Sequence, residues 1–447
     1  MKIIIGGAGA VGTHLAELLS RENQDIIIMD DDNDRLDPLR NRYDLMAVTG
    51  SPSSIKALQE VGVSDADLFI AVTPDENRNL TACMLASKLG VKKTVARIDN
   101  DEYQQPGNIE FFQKLGVDSL IYPEMLAARE IVSSARMSWV RQWWEFGGGS
   151  LILIGAKMRE KCEILDRPLR EINSEEPYHI VAIKRDGETI IPRGKDTVKL
   201  HDIVFFTTTP QYVPYVRKIA GKEDYADVKK VMIMGGSRIG VRTSQLMPDY
   251  MSVKIIEKDL ARCEHITTEI NKKAIIINGD GRDLDLLNEE GIKDTDAFIA
   301  LTGNAEINIL ACLNAKRMGI KKTVAEVETL DYISMAESLD IGTIINKKKI
   351  AASHIYQMML DEDVSNVKCL TFSNADVAEY TVGENDAIAK GFVKDLELPE
   401  GATIGGVIRD GKGIVVNGNT QIIKGDHVVM FCLGQGRTLK KIDKFFR

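Results

Sequence analysis

Apolar residues at the front of the chain fall in short unbroken runs: Lys2–Gly6, Ile26–Met29, Leu45–Val48, Leu68–Val72, Thr94–Ile98 and Leu120–Tyr122. Between the first two runs, Val11, Leu15, Leu18 and Leu19 recur at helical spacing. Runs with little polar alternation, separated by helical patterns, predict a parallel sheet covered on both faces, which is the doubly wound α/β arrangement. The next stretch reads differently. Leu151–Gly155, Ile180–Lys184, Glu188–Ile191 and Ile203–Thr207 are short β-type runs, and Arg185-Asp186-Gly187 has the composition of a hairpin turn. They predict a smaller α+β piece with an antiparallel sheet.

The whole pattern then occurs again. IIIGGAGAVG at 3–12 returns as VMIMGGSRIG at 231–240, so Gly12 and Gly240 stand 240 − 12 = 228 apart. DLFIAVT at 67–73 returns as DAFIALT at 296–302, and LGVKKTVAR at 89–97 as MGIKKTVAE at 318–326, both 229 apart. In the back pieces, Gly187 matches Gly411 and Asp202 matches Asp426, each 224 apart. Independent anchors in a nearly constant register mean a duplication. The expected division is 1–138, 139–221, 228–365 and 366–447, with the glycine- and charge-rich Gly221–Asp227 as the linker between halves. The segment Ser138–Trp144 holds all three tryptophans; it is expected to pack a crossover or a subunit interface, with a membrane-interface belt as the alternative, while Met125–Val132 and Ile350–Met359 read as crossover helices.

Charge removes some function classes. The chain has 57 Lys and Arg against 66 Asp and Glu, a net charge of −9, so it has no general attraction to nucleic acid or an anionic membrane surface. Neither a signal peptide nor an apolar run long enough for a transmembrane helix is legible. The six cysteines are spread without a C-x-x-C pair and read as core residues in a reducing compartment. The scattered histidines offer no metal centre. His179, His201 and His427 do not recur at matched repeat positions, and no catalytic residue is assigned.

The chemistry lies in the glycine loops. Gly7-Ala8-Gly9-Ala10-Val11-Gly12 follows a strand and opens a helix. The first glycine permits a tight turn, the second lets backbone approach a pyrophosphate, and the third lets helix and strand pack closely. The helix N-terminus supplies N–H donors for phosphate. Asp30 ends the second run, where a carboxylate accepts from ribose hydroxyls and repels a 2′-phosphate. The second loop reads Gly235-Gly236-Ser237-Arg238-Ile239-Gly240, with Ser237 in place of the middle glycine, Arg238 as an added charge and Glu257 at the position of Asp30. Further candidates stand at the carboxyl ends of strands: Gly50, Ser51, Thr73, Asp75, Asn77 and Arg97, then Gly279, Asp280, Thr302, Asn304, Glu306 and Glu326. Arg97 is placed to reach a phosphate or a neighbouring carboxylate, and Glu326 reverses the charge there.

Together, the duplicated Asp-x-x-Ile-Ala-Val/Leu-Thr strand (Asp67–Thr73, Asp296–Thr302) and the paired glycine loops resemble the tandem regulators of potassium conductance, the RCK or KTN family, over essentially the whole chain. Gly-Asp after the third strand, frequent in that family, is kept at Gly279-Asp280 and replaced by Gly50-Ser51-Pro52. The resemblance implies two Rossmann-type RCK-N domains, each followed by an RCK-C domain. It implies binding of NAD(H), with ATP or ADP as alternatives, and a cytoplasmic place at the inner face of the membrane, held by a TrkH-like potassium channel subunit. It also implies a ring-like homo-oligomer, a tetramer. An NAD-dependent oxidoreductase and a structural adaptor with degenerate pockets are the competing readings.

Overall fold

The structure is a computed structural model that describes every residue except 21–23, 173–175, 271–273, 360–363, 370–374, 434–436 and 447. Two six-stranded parallel sheets and two five-stranded antiparallel sheets alternate along the chain. The first parallel sheet comprises β1 (Lys2–Gly6), β2 (Asp25–Asp30), β3 (Met46–Thr49), β4 (Leu68–Ala71), β5 (Lys93–Arg97) and β6 (Ser119–Ile121), in the order β3-β2-β1-β4-β5-β6. The order reverses beside β1, so the crevice at its carboxyl end is the topological switch point where such sheets bind ligands. β7 (Val140–Phe146), β8 (Leu151–Lys157), β9 (Tyr178–Arg185), β10 (Glu188–Ile190) and β11 (Ile203–Thr208) form the first antiparallel sheet.

The second half repeats both sheets. Its parallel sheet is β12 (Lys230–Met234), β13 (Ser252–Glu257), β14 (Ala274–Asn278), β15 (Ala297–Ala300), β16 (Lys322–Glu326) and β17 (Thr343–Ile345), in the same order as the first. Its antiparallel sheet is β18 (Val364–Cys369), β19 (Ala375–Thr381), β20 (Ala402–Arg409), β21 (Lys412–Ile414) and β22 (His427–Leu433). The fold class is therefore the one expected. The tryptophan segment differs from expectation. Val140–Phe146 is the edge strand β7, paired antiparallel with β8, and Trp139 and Trp143 pack into the core of that sheet. Trp143 packs against one buried face of the sheet and Trp144 against the other, so the strand shows no alternation of apolar and polar residues.

Strand burial explains the parallel sheets. In β1 and β4 the central residues Ile3, Ile4, Ile5, Phe69 and Ile70 are fully buried, as strands covered on both faces require. The antiparallel hairpins are set by their turns. Asp186 and Gly187, and likewise Asp410 and Gly411, have positive φ at both central positions, the geometry that matches strand twist. Arg185 then forks onto Asp202 (Nε to Oδ1 2.8 Å, Nη2 to Oδ2 2.7 Å), and Arg409 onto Asp426 at 2.7 and 2.8 Å. Both carboxylates are buried, and bidentate charge-assisted bonds make such burial tolerable.

The first antiparallel sheet is buried on both faces: Ile152, Ile154, Val204 and Phe206 belong to one core, and Leu151, Leu153 and Phe205 to another. The two back sheets cover each other: Phe146, Leu151, Leu153 and Phe205 share a core with Val377, Val429 and Phe431, and Thr207 Oγ1 donates to the carbonyl of Gly405 at 2.5 Å. Helix Lys347–Met359, which follows the second parallel sheet in sequence, belongs to the same compact unit as the first one and packs on helix Ala10–Ser20. The five cysteines with described side chains are buried and form no disulfide. Among the described residues, no helix is long and apolar enough to cross a membrane.

Candidate functional site

Each glycine of the first loop meets a different surrounding. Gly7 has φ +116°, and a Cβ there would lie 2.9 Å from the backbone N of Thr73. On Gly12 a Cβ would lie 1.9 Å from the carbonyl oxygen of Gly7, so helix and strand touch at that point. A Cβ on Gly9 would meet nothing within 4 Å. The loop is thus closed against the protein at its first and third glycines and open at its second, which fits the approach of a phosphate group to backbone.

Asp30 is buried at the end of β2. Its Oδ2 accepts from the N–H of Ala8 at 2.7 Å and its Oδ1 from the N–H of Asp32 at 2.9 Å. The carboxylate therefore staples the glycine loop to the turn after β2. Glu257 does the same in the second half: Oε2 accepts from Gly236 N at 2.6 Å and Oε1 from Asp259 N at 2.8 Å. In both halves the next strand closes the wall by backbone, with Gly50 N donating to Asp30 O and Gly279 N to Glu257 O.

Thr73 and Thr302 sit at the ends of β4 and β15, and each is held by an asparagine that the sequence reading missed. Asn79 Oδ1 accepts from both N and Oγ1 of Thr73 (2.9 and 2.7 Å), while its Nδ2 donates to the carbonyls of Thr73 and Arg97, both at 2.9 Å. Asn308 makes the same four bonds to Thr302 and Glu326. The two asparagines are 308 − 79 = 229 apart, the register of the threonines, so the repeat contained the signal.

The surroundings of the two loops diverge. Arg78, also missed, bridges the first crevice mouth by donating to Asp31 Oδ2 at 2.8 Å and Ser51 Oγ at 3.0 Å. That hydrogen bond holds the Asp31 carboxyl below its usual range. The corresponding residue 229 positions later is Ile307, which lines a second-half cavity of about 490 Å³ together with the loop, Glu257, Asp280 and Arg282. There Asp280 is forked by Arg282 (2.9 and 2.6 Å), which keeps its carboxyl well below the usual range. Ser237 caps helix Arg238–Leu246 by accepting from Gly240 N at 3.3 Å, and Arg262 donates to Gly236 O at 2.8 Å. Arg238 and Ile239 open that helix, as Ala10 and Val11 open the first.

Arg97 is brought to carboxylates. Its Nη2 lies 3.2 Å from Asp99 and 3.9 Å from Glu124, a buried acid that Lys347 approaches at 3.8 Å. Arg97 Nε and Glu124 Oε2 have no hydrogen-bond partner among the described residues. Among those residues no group of His, Cys, Asp and Glu could hold a metal ion.

Comparison with known proteins agrees with this duplicated architecture. The TrkA-N domain model matches residues 3–123 and 231–347, and the TrkA-C domain model residues 153–221 and 377–445. A Trk system potassium uptake protein TrkA of Vibrio alginolyticus is 32% identical over 443 residues, covering 97% of this chain and 96% of the relative. The protein of that name from Haemophilus influenzae is 31% identical over 457 residues, covering 100% and 99%. Among solved structures, the GsuK RCK domain superposes with a TM-score of 0.62 at 14% identity over 100% of this chain and 94% of its own. A GsuK channel bound to NAD gives 0.60 at 14% identity over 100% and 78%. These two share the fold. On the domain matches and the full-length relatives, the chain belongs to the TrkA family of Trk-system potassium uptake proteins, with the TrkA-N and TrkA-C pair present twice.

Proposed function

We propose that the chain is a nucleotide-sensing regulatory subunit that gates a TrkH-like potassium-uptake channel from the cytoplasmic face of the membrane. In this reading 1–138 and 228–365 are nucleotide-binding domains, 139–221 and 366–447 are their RCK-C partners, and the working assembly is a homotetramer. The ligand is NAD(H), with ATP and ADP as competitors. One observation carries the reading: at two equivalent switch points a buried or half-buried carboxylate, Asp30 or Glu257, holds a glycine loop by its second N–H. Open space over Gly9 supports phosphate approach, and Asp30 would accept from a ribose. Gly50, Ser51, Thr73 and Arg97 would complete the first cleft, and Gly279, Asp280, Thr302 and Arg238 the second. The names of the full-length relatives and the NAD-bound GsuK neighbour support the same assignment.

A ligand shifts a channel only through unequal affinity for its two states. A coupling of ~1–3 kcal/mol would change opening by about 5- to 150-fold. Calorimetric titration with NADH, NAD, ATP and ADP tests the proposal. Saturable binding that Asp30→Ala weakens is expected, and failure of all four to bind would leave a structural adaptor. Steady turnover of NADH with small carbonyl compounds would instead favour an oxidoreductase.

A further inference from the structure

Away from both clefts, one carboxylate is surrounded by cations. Asp340 lies in the turn between helix Asp331–Ser338 and β17. Its Oδ1 is 2.8 Å from Arg141 Nη2 and 3.1 Å from Lys157 Nζ. Its Oδ2 meets Arg159 Nη2, and Lys316 Nζ at 3.1 Å. A fifth cation, Lys222, is buried beside them, with its ammonium 4.8 Å over the ring of Tyr225.

A carboxylate has two oxygens and about four lone-pair sites, and these four contacts use them. The cluster then holds five positive charges against one negative, an excess of four. Arg141, Arg159, Lys157 and Lys316 retain N–H groups that Asp340 has no capacity to accept. Burial, and after it the charges of Arg159 and Arg141, pushes the Lys222 ammonium down to about 8. Burial likewise lowers Lys157 and Lys316, against the opposing pull of Asp340. The four contacting cations are partly exposed, so solvent reaches them.

Asp340 has φ +52°, a left-handed conformation that aspartate adopts more readily than most side chains, and its counterpart in the register of β6 and β17, 340 − 224 = 116, is Gly116 at φ +90°.

We propose that this cluster is an anion site for a multiply charged phosphate, seated on the donors of Arg141, Lys157 and Arg159 that Asp340 leaves unused. Such a ligand would join the first back sheet, which carries Arg141 and Lys157, to the second parallel sheet, whose flanking turn carries Asp340. It comes either free, as inorganic phosphate or pyrophosphate, or as the phosphate tail of a nucleotide.

The test uses the full chain carrying Asp30→Ala and Glu257→Ala, so that failure of the nucleotide reading does not bear on it. Inorganic pyrophosphate is titrated at constant ionic strength by calorimetry, with ATP as a second arm. Saturable pyrophosphate binding is expected, and a free phosphate is the source if ATP binds no tighter. Tighter ATP binding assigns the nucleotide tail. Arg159→Gln should weaken binding by about tenfold, as loss of a charge-assisted bond does, and Arg159→Lys should restore part of it. Asp340→Asn tolerates the positive φ and removes the repelling charge, so it should tighten binding several-fold. A purely structural cluster would show no such gain. No pyrophosphate binding, binding indifferent to Arg159→Gln, or weaker binding in Asp340→Asn would each overturn the proposal.

Discussion

The two glycine loops keep one set of interactions and exchange another. Asp30 and Glu257 hold a loop N–H in the same way, and Asn79 and Asn308 make the same four bonds. These groups bond mainly to backbone. The groups facing the crevice differ: Gly9 against Ser237, Arg78 against Ile307, and Ser51 against an Asp280 forked by Arg282. After duplication, backbone-holding residues share a constraint because both sheets need the same loop geometry. Ligand-facing residues have no such shared constraint. The halves are therefore equivalent as scaffolds and unequal in the groups they turn to the crevice.

The largest expected effect falls on the shared scaffold. Gly12→Ala forces a Cβ against Gly7 O, and Gly240→Ala places one 2.4 Å from Gly235 O. Each should destabilise its own half by about 3 kcal/mol or more and remove nucleotide binding from that cleft alone, read by denaturant unfolding and calorimetry. Next come Asn79→Ala and Asn308→Ala. Each orphans a threonine N–H, buried at Thr73 and half-buried at Thr302, and should cost ~2–4 kcal/mol, by similar amounts in the two halves. A difference well beyond ~1 kcal/mol would break the equivalence of the scaffolds.

Smaller effects sharpen the inequality of the sites. Asp30→Ala should weaken the first cleft for NADH by about 10- to 100-fold, since it removes charge-assisted acceptance as well as the loop staple. Ser237→Gly frees the Gly240 N–H and should tighten the second cleft a few-fold, whereas Gly9→Ser should loosen the first by a similar factor. Unchanged affinities in both would show that the middle residue does not face the phosphates.

A pH-dependent effect separates the two back sheets. Burial lowers the His179 imidazole to about 4, whereas its counterpart 224 positions later is Thr403. A base depressed in the folded state binds fewer protons there than in the unfolded chain. Its contribution is full above the ordinary value of about 6.5 and is lost as pH falls from there toward about 4. His179→Thr should flatten that slope in a melting series from pH 7.5 to 4.5.

Much of this was legible in the chain. Unbroken apolar runs predicted parallel strands because burial on both faces leaves no polar alternation, and the glycine spacing located both loops. The acids Asp30 and Glu257 were found because they end predicted strands. Arg78 was not, since it lies one turn into a helix and acts only through residues brought from β2 and the loop after β3. Strand β7 was hidden because both faces of its sheet are buried, Trp143 against one core and Trp144 against the other, which leaves no polar alternation.

By itself, the sequence determined the duplication, the four-sheet order and the place of each glycine loop, because these are written in spacing along the chain. Only the tertiary structure decided that the two back sheets cover each other and that helix Lys347–Met359 packs on the first half's helix Ala10–Ser20. The same holds for the five cations gathered around Asp340 from segments that show no common period. Such contacts depend on which apolar faces find each other, and burial is settled between segments rather than within them.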